Sequence, residues 1–142
     1  MQTSENKPSL VQSRQGFSIL YKNKYLYSRY NPSRAIISVI EKLELLPHTL
    51  IVVFSPCLWY GIEELLEKAK NANCSILAIE NDAELYSLAK EQLAKIKHTY
   101  SIQFIKAADA LYTIETLSES GKLKRAIRLD FSAGVQLYQN EY

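Results

Sequence analysis

Cysteine, histidine and long apolar runs are all scarce in this 142-residue chain, and each scarcity excludes a class of protein. Two cysteines, Cys57 and Cys74, do not make a disulfide framework, so we expect a reducing cytoplasm. Together with two distant histidines, His48 and His98, they do not assemble a metal site. The longest apolar run, residues 50–54, is far too short to span a bilayer, so we expect no membrane segment.

An excess of charge of one sign is also missing. The net charge is +2, from 17 basic and 15 acidic residues, which argues against nucleic acid as a partner. The sequence has a basic cluster at a predicted strand, whose alternation would divide the charges between its two faces: Lys122, Lys124, Arg125 and Arg128. The polar residues 1–15 lack the apolar core of a signal peptide, and we expect them to be a disordered tail before one domain, 16–142.

What the sequence does contain is an alternation of helical and strand patterns. Residues 17–21 and 24–28 flank Lys22-Asn23 and predict a β-hairpin. Near-continuous apolar runs then predict four buried strands, and apolar residues at three- to four-residue spacing predict helices before and between them. The predicted strands are 50–54, 75–79, 100–105 and 125–129. Asn31 and Asn81 are the predicted N-caps of two helices, the second with Glu84 in a capping box.

Strands separated by helices require right-handed crossovers and a mostly parallel sheet. The predicted fold class is therefore α/β, a Rossmann-like doubly wound sheet with an N-terminal β-hairpin. Ligands of such sheets bind beyond the carboxyl ends of the strands. The residues that fall there form the candidate ligand cleft: Ser55, Cys57, Trp59, Tyr60, Glu80 and Asp109.

Each of these residues also has a structural interpretation. Glu80 is placed to accept hydrogen bonds from ribose hydroxyls, but parallel sheets commonly carry an acid there to cap the next helix. Trp59 and Tyr60 could stack on a base, but such residues more often fill a core. Cys57 near a helix N-terminus would have a lowered thiol pKa, yet no histidine is placed by sequence to act as its base.

The loop after the first parallel strand, IVVFSPCLWYG, argues against a cofactor. Glycines in such loops permit the tight turn and let backbone N–H groups reach the ligand. Here Pro56 removes one donor, while Cys57 and Trp59 add bulk. Ser55 followed by Pro56 is a suitable helix start, so the loop reads as a strand-to-helix turn without a ligand.

Over residues 50–130 the layout resembles the class I methyltransferases that use S-adenosylmethionine. In that family an acid ending the second strand holds the ribose, and an Asp after the third strand lies near the adenine. Glu80 and Asp109 match these two positions. The resemblance implies a small methyltransferase-like or nucleotide-binding protein with an altered loop, in which Asp130 and Ser132 would face the substrate.

A second resemblance starts from Tyr25-Leu26-Tyr27-Ser28-Arg29-Tyr30-Asn31-Pro32. This stretch is similar to the leader leucine–histidine–serine–x–tyrosine–x–proline of the motility-associated (Maf) flagellin glycosyltransferases. Their first strand ends in glycine–x–glycine–x–glycine–tyrosine–histidine, which aligns with Ser55, Cys57, Trp59, Tyr60 and Gly61. Ile79-Glu80 and Ser132-Ala133-Gly134 also fit that family.

This second resemblance implies that the chain is an N-terminal domain. The transferase region, related to the hydroxymethylpterin diphosphokinase MptE, would then follow Tyr142, so no catalytic residue is expected here. We expect a non-catalytic module that acts in packing or partner recognition. Its partner would be a protein, the C-terminal domain of its parent, or a second copy. The hairpin tyrosines Tyr21, Tyr25, Tyr27 and Tyr30 are the expected contact patch, unless half of them alternate into the core.

Overall fold

The computed structural model describes residues 7–14, 16–28, 30–96, 102–119 and 123–135. Two sheets are present within this part of the chain. The first is antiparallel, with the order β1-β2-β3, and the second is parallel, with the order β6-β5-β4-β7. The strands are β1 Ser9–Ser13, β2 Gly16–Tyr21, β3 Lys24–Tyr25, β4 Thr49–Phe54, β5 Ser75–Glu80, β6 Ile102–Lys106 and β7 Arg125–Asp130. The helices are α1 Arg34–Glu41, α2 Ile62–Ala72, α3 Ala83–Leu93 and α4 Ala110–Glu119, the last preceded by a 3₁₀ turn, Ala107–Asp109.

The parallel sheet confirms the predicted α/β class. Its central strands β4 and β5 are buried on both faces because helices cover both. Residues from α1, α2 and α3 pack on one face, around Ile51, Val53 and Ala78. On the other face α4 packs against Leu50, Val52, Leu77 and Ile79. This two-sided burial explains why β4 and β5 read as continuous apolar runs.

The strand order places β4 at the centre, with β5 on one side and β7 on the other. The chain therefore reverses its winding direction between β4 and β7, and the carboxyl ends of these strands form the crevice where Rossmann-like sheets bind ligands. The segments that follow these strands, 55–61 and 131–135, meet at this crevice.

The N-terminal sheet is larger than the predicted hairpin. Lys22 and Asn23 both have positive φ, as a two-residue type I′ turn requires, so the predicted turn is confirmed. The expected tail is wrong for residues 9–13, which form β1 and pair with β2 in antiparallel register. This strand has only five residues and two apolar side chains, which is too short a pattern to distinguish it from the polar sequence around it. Residues 1–6 lie outside the described part of the chain.

Two predicted helix caps differ in the structure. Asp82, rather than Asn81, is the N-cap of α3, and its carboxylate accepts a hydrogen bond from the Leu85 N–H at 3.0 Å. α1 begins at Arg34 after Ser33, so Asn31 does not cap it directly.

Some residues of the sequence-based predictions lie outside the described part of the chain. They are His98, the predicted strand residues 100 and 101, and residues 136–142. No helix in the described ranges is long and apolar enough to cross a membrane.

Candidate functional site

The loop between β4 and α2 has the backbone of a glycine-rich loop. φ is positive at every second residue: 52° at Ser55, 47° at Cys57, 62° at Trp59 and 87° at Gly61. Only glycine adopts this region freely, and a left-handed conformation costs another residue about 1–2 kcal/mol. Since α2 begins only at Ile62, the expectation that Ser55 and Pro56 start the helix is wrong.

The side chains at these positions fill the space beneath the loop. Ser55 and Cys57 are fully buried, and Trp59 is 2% exposed. The Trp59 indole N–H donates to the carbonyl oxygen of Ala89 at 2.8 Å, and its ring meets Phe104 edge to face. Trp59 therefore belongs to the core under α3, as its structural interpretation predicted.

Ser55 and Glu80 form the centre of a buried polar cluster. The Ser55 hydroxyl donates to Glu80 Oε1 at 2.9 Å. Glu80 Oε2 accepts from the backbone N–H groups of Asn81 at 2.9 Å and Asp82 at 3.1 Å. The carboxylate is 1% exposed and lies at the positive N-terminal end of α3. Both of its oxygens are thus bonded to donors of the protein itself.

The segment after β7 completes the cluster. The Ser132 hydroxyl donates to the Ser55 carbonyl oxygen at 2.8 Å and lies 3.4 Å from Cys57 Sγ. The Gly134 N–H donates to Ser132 Oγ at 3.1 Å. A Cβ added to Gly134 would lie 2.0 Å from Ser55 Oγ, so only glycine fits beside the loop at this position.

The N-terminal sheet lies over this cluster. Ile19, Tyr21, Leu26 and Tyr27 pack in one buried group with Cys57 and Leu85, partly covered by residues from the loop and α3. This group closes the carboxyl ends of the parallel strands from the side where a ligand would approach.

Three tyrosine hydroxyls fasten the N-terminal sheet to the parallel domain. Tyr21 donates to the Asp82 carboxylate at 3.0 Å. Tyr27 donates to the carbonyl oxygen of Pro56 at 3.0 Å and accepts from the Leu58 N–H at 3.0 Å. In the same way, the Tyr60 hydroxyl donates to the Phe17 carbonyl oxygen at 2.7 Å and accepts from the Phe17 N–H at 3.0 Å.

The structure does not bring all of the predicted cleft residues together. Ser55, Cys57 and Glu80 meet at the cluster, and Tyr60 lies beside it, while Asp109 is exposed in the turn after β6. Asp130 is also exposed and pairs with Arg128 at 2.7 Å. Of the four tyrosines in the expected contact patch, Tyr21 and Tyr27 are buried while Tyr25 and Tyr30 are exposed, so half of them lie in the core, as the alternative interpretation predicted. Sequence reasoning missed Asp82 as a part of this region.

Burial controls the titration of the two weak acids in this region. Burial, together with the nearby charge of Glu80, raises the pKa of Cys57 to about 12. Burial likewise raises the pKa of Tyr27 well above its ordinary value. The predicted lowering of the Cys57 thiol pKa by a helix N-terminus is therefore wrong, because the thiol lies in a dry interior and α2 starts further along the chain.

One open groove reaches the edge of the cluster. It has a volume of about 340 Å³ and runs between α1 and the segment after β7. Its described lining residues include Ser132 but not Glu80 or the loop 55–61. Because Glu80 is 1% exposed, a nucleoside would contact its carboxylate only after neighbouring side chains moved. The described residues contain no group of three metal-ligating side chains.

Fold and site together define a Rossmann-like α/β domain whose ligand end is closed by its own N-terminal sheet. No protein-family model matches the chain, and no solved structure matches it. The chain is similar to an uncharacterized protein of Treponema pallidum (strain Nichols), with 30% identity over 139 residues. The match covers 95% of this chain and 24% of that protein, so the chain spans about a quarter of its relative's length.

Proposed function

We propose that this chain is a non-catalytic Rossmann-like module of a longer protein related to the Maf and MptE-like glycosyltransferases. In this proposal the module acts by packing against other domains or by recognising a protein partner, in the cytoplasm. Two free cysteines, one of them buried, suit that reducing compartment.

The observation that carries the proposal is that the hydrogen bonds of the Glu80 carboxylate are all made within the protein. An acid that binds ribose must offer its oxygens to an open cleft. Here both oxygens of Glu80 bond to Ser55 and to the first N–H groups before α3. Dissociating these bonds without replacement would cost several kcal/mol, because a buried carboxylate without donors is strongly unfavourable.

Two further observations support the module hypothesis. The loop has positive φ at Ser55, Cys57 and Trp59, the positions that align with glycines of the Maf-like loop, which suits a domain that keeps such a backbone without the ligand. The Treponema protein is about four times as long as the matched region, which suits a module within a larger chain.

A thermal-shift titration tests the proposal against the nucleotide-binding alternative. The ligands are S-adenosylmethionine, S-adenosylhomocysteine, CMP, a CMP-sugar and NAD. A ligand at 100 times its dissociation constant stabilises a protein by about 2.7 kcal/mol, so binding would raise the melting temperature clearly. We expect no shift at millimolar ligand.

The Glu80→Gln variant makes the test specific, and Glu91→Gln, at an exposed position on α3, is its matched control. A shift with one nucleoside that Glu80→Gln abolishes and Glu91→Gln retains would overturn the proposal. Each variant is compared with and without ligand, so that its own change in stability cancels.

A further inference from the structure

Among the residues that the structure describes, none pairs with the outer edge of β1, and β1 lacks the protection that the other edge strands have. Edge strands expose unpaired N–H and C=O groups. Proteins usually prevent these edges from pairing with other chains by placing charges or proline on them or by keeping the strand short. Among the outer strands described, β7 carries Arg125, Arg128 and Asp130, β6 carries Lys106, and β3 has two residues. β1 reads SLVQS, with five residues, no charge and no proline.

Exposed apolar side chains lie next to this edge of β1. In the pairing of β1 with β2, Leu10 lies opposite Ile19 and Gln12 lies opposite Phe17, so these four side chains share one face of the sheet. Ile19 on this face is fully buried, whereas Leu10 is 50% and Phe17 is 48% exposed. The parallel domain therefore covers only part of this face of the N-terminal sheet, and the side chains of Leu10 and Phe17 stay half exposed.

We propose that β1 is a homodimer interface, in which it pairs antiparallel with β1 of a second copy about a twofold axis at Val11. This arrangement places Ser9 opposite Ser13 of the second copy and Leu10 opposite Gln12. The two Leu10 side chains become diagonal neighbours on the same face, close enough to cover each other. Such an interface is self-complementary, as twofold symmetry requires.

Charge and space favour a second copy as the occupant. The twofold register sets Arg14 opposite Pro8 of the second copy, so no like charges face each other along the strand. A cavity of about 540 Å³ is lined by Gln12, Ser13, Arg14 and Tyr30, at the end of β1 that this register pairs with Pro8 and Ser9 of the second copy. Tyr30 in this lining is 69% exposed. This dimer is independent of whether the domain binds a nucleotide.

Light scattering after gel filtration tests the proposal, with opposite charges introduced at the twofold axis. Wild type should have twice the 16.3 kDa mass of one chain at high micromolar concentration. Val11→Lys alone and Val11→Glu alone should each be monomeric, because each brings two like charges together at the axis. An equimolar mixture of the two should restore the dimer mass.

Leu111→Lys is the matched control, because Leu111 is 71% exposed on α4, away from β1. This variant should remain a dimer. A monomeric wild type, a dimer retained by either Val11 variant alone, a mixture that stays monomeric, or a dimer lost in Leu111→Lys would each overturn the proposal. Restored mass in the mixture also shows that both variants fold.

Discussion

At the scale of single residues, the site depends on close contacts that the sequence shows only in part. The position of Glu80 at the end of a strand was predictable, because apolar runs mark buried strands. Ser55 was predicted at the same crevice, but its left-handed backbone and its hydrogen bond to Glu80 were not, since a serine in the left-handed region has no sequence signal. The fit of Gly134 against Ser55 likewise joins residues 79 positions apart, which no local pattern reveals.

Gly134→Ala should destabilise the protein by about 1–3 kcal/mol, because the new methyl group would overlap Ser55 Oγ. In a Ser55→Gly background, where that oxygen is absent, the same change should cost less. Urea unfolding of the four proteins in a double-mutant cycle measures the coupling. Additive effects would show that the two residues do not constrain each other.

At the scale of elements, the parallel sheet and its helices followed from the sequence, whereas the N-terminal sheet did so only in part. Burial on both faces leaves a strong apolar pattern in β4 and β5. β1 leaves a weak one, because it is five residues long and half exposed. Its sheet is attached to the domain through tyrosine hydroxyls. Tyr27 and Tyr60 bond backbone groups and Tyr21 bonds the distant Asp82 carboxylate, and sequence patterns identify neither kind of partner.

Tyr27→Phe should loosen the N-terminal sheet selectively. The change leaves the Leu58 N–H and the Pro56 carbonyl without this partner, at a cost of about 1–3 kcal/mol. We expect faster amide hydrogen exchange in β2 and β3, with β4 and β5 little affected. Tyr112→Phe, at a 75% exposed position, is the control and should change nothing. Equal acceleration in β4 would show that the sheet and the domain open as one unit.

At the scale of the whole molecule, burial of Cys57 couples stability to alkaline pH. Its pKa is about 12 in the folded chain, against 9.0 for an unperturbed thiol. Below pH 9 the thiol is protonated in both states and its contribution is fully present. Between about pH 9 and 12 only the unfolded chain loses this proton, so the unfolded state gains and stability is lost.

The free energy of unfolding should therefore fall above pH 9, with Cys57 contributing up to about 1.4 kcal/mol per pH unit. Tyr27, whose pKa is also raised, adds to the decline at higher pH. Urea unfolding at several pH values measures the slope, which should be smaller in Cys57→Ala. An unchanged slope in that variant would contradict the buried, protonated thiol.

The alternating left-handed residues of the loop have a consequence for its evolution. Cysteine and tryptophan codons each differ from a glycine codon by a single base, and so do some serine codons. Cys57 and Trp59, two of the three non-glycine residues with positive φ in this loop, are thus one point mutation away from glycine, and so is Ser55 when it is encoded by such a codon. A lineage could fill or empty the crevice stepwise without rebuilding the chain path, so open and closed forms of this domain can share one scaffold.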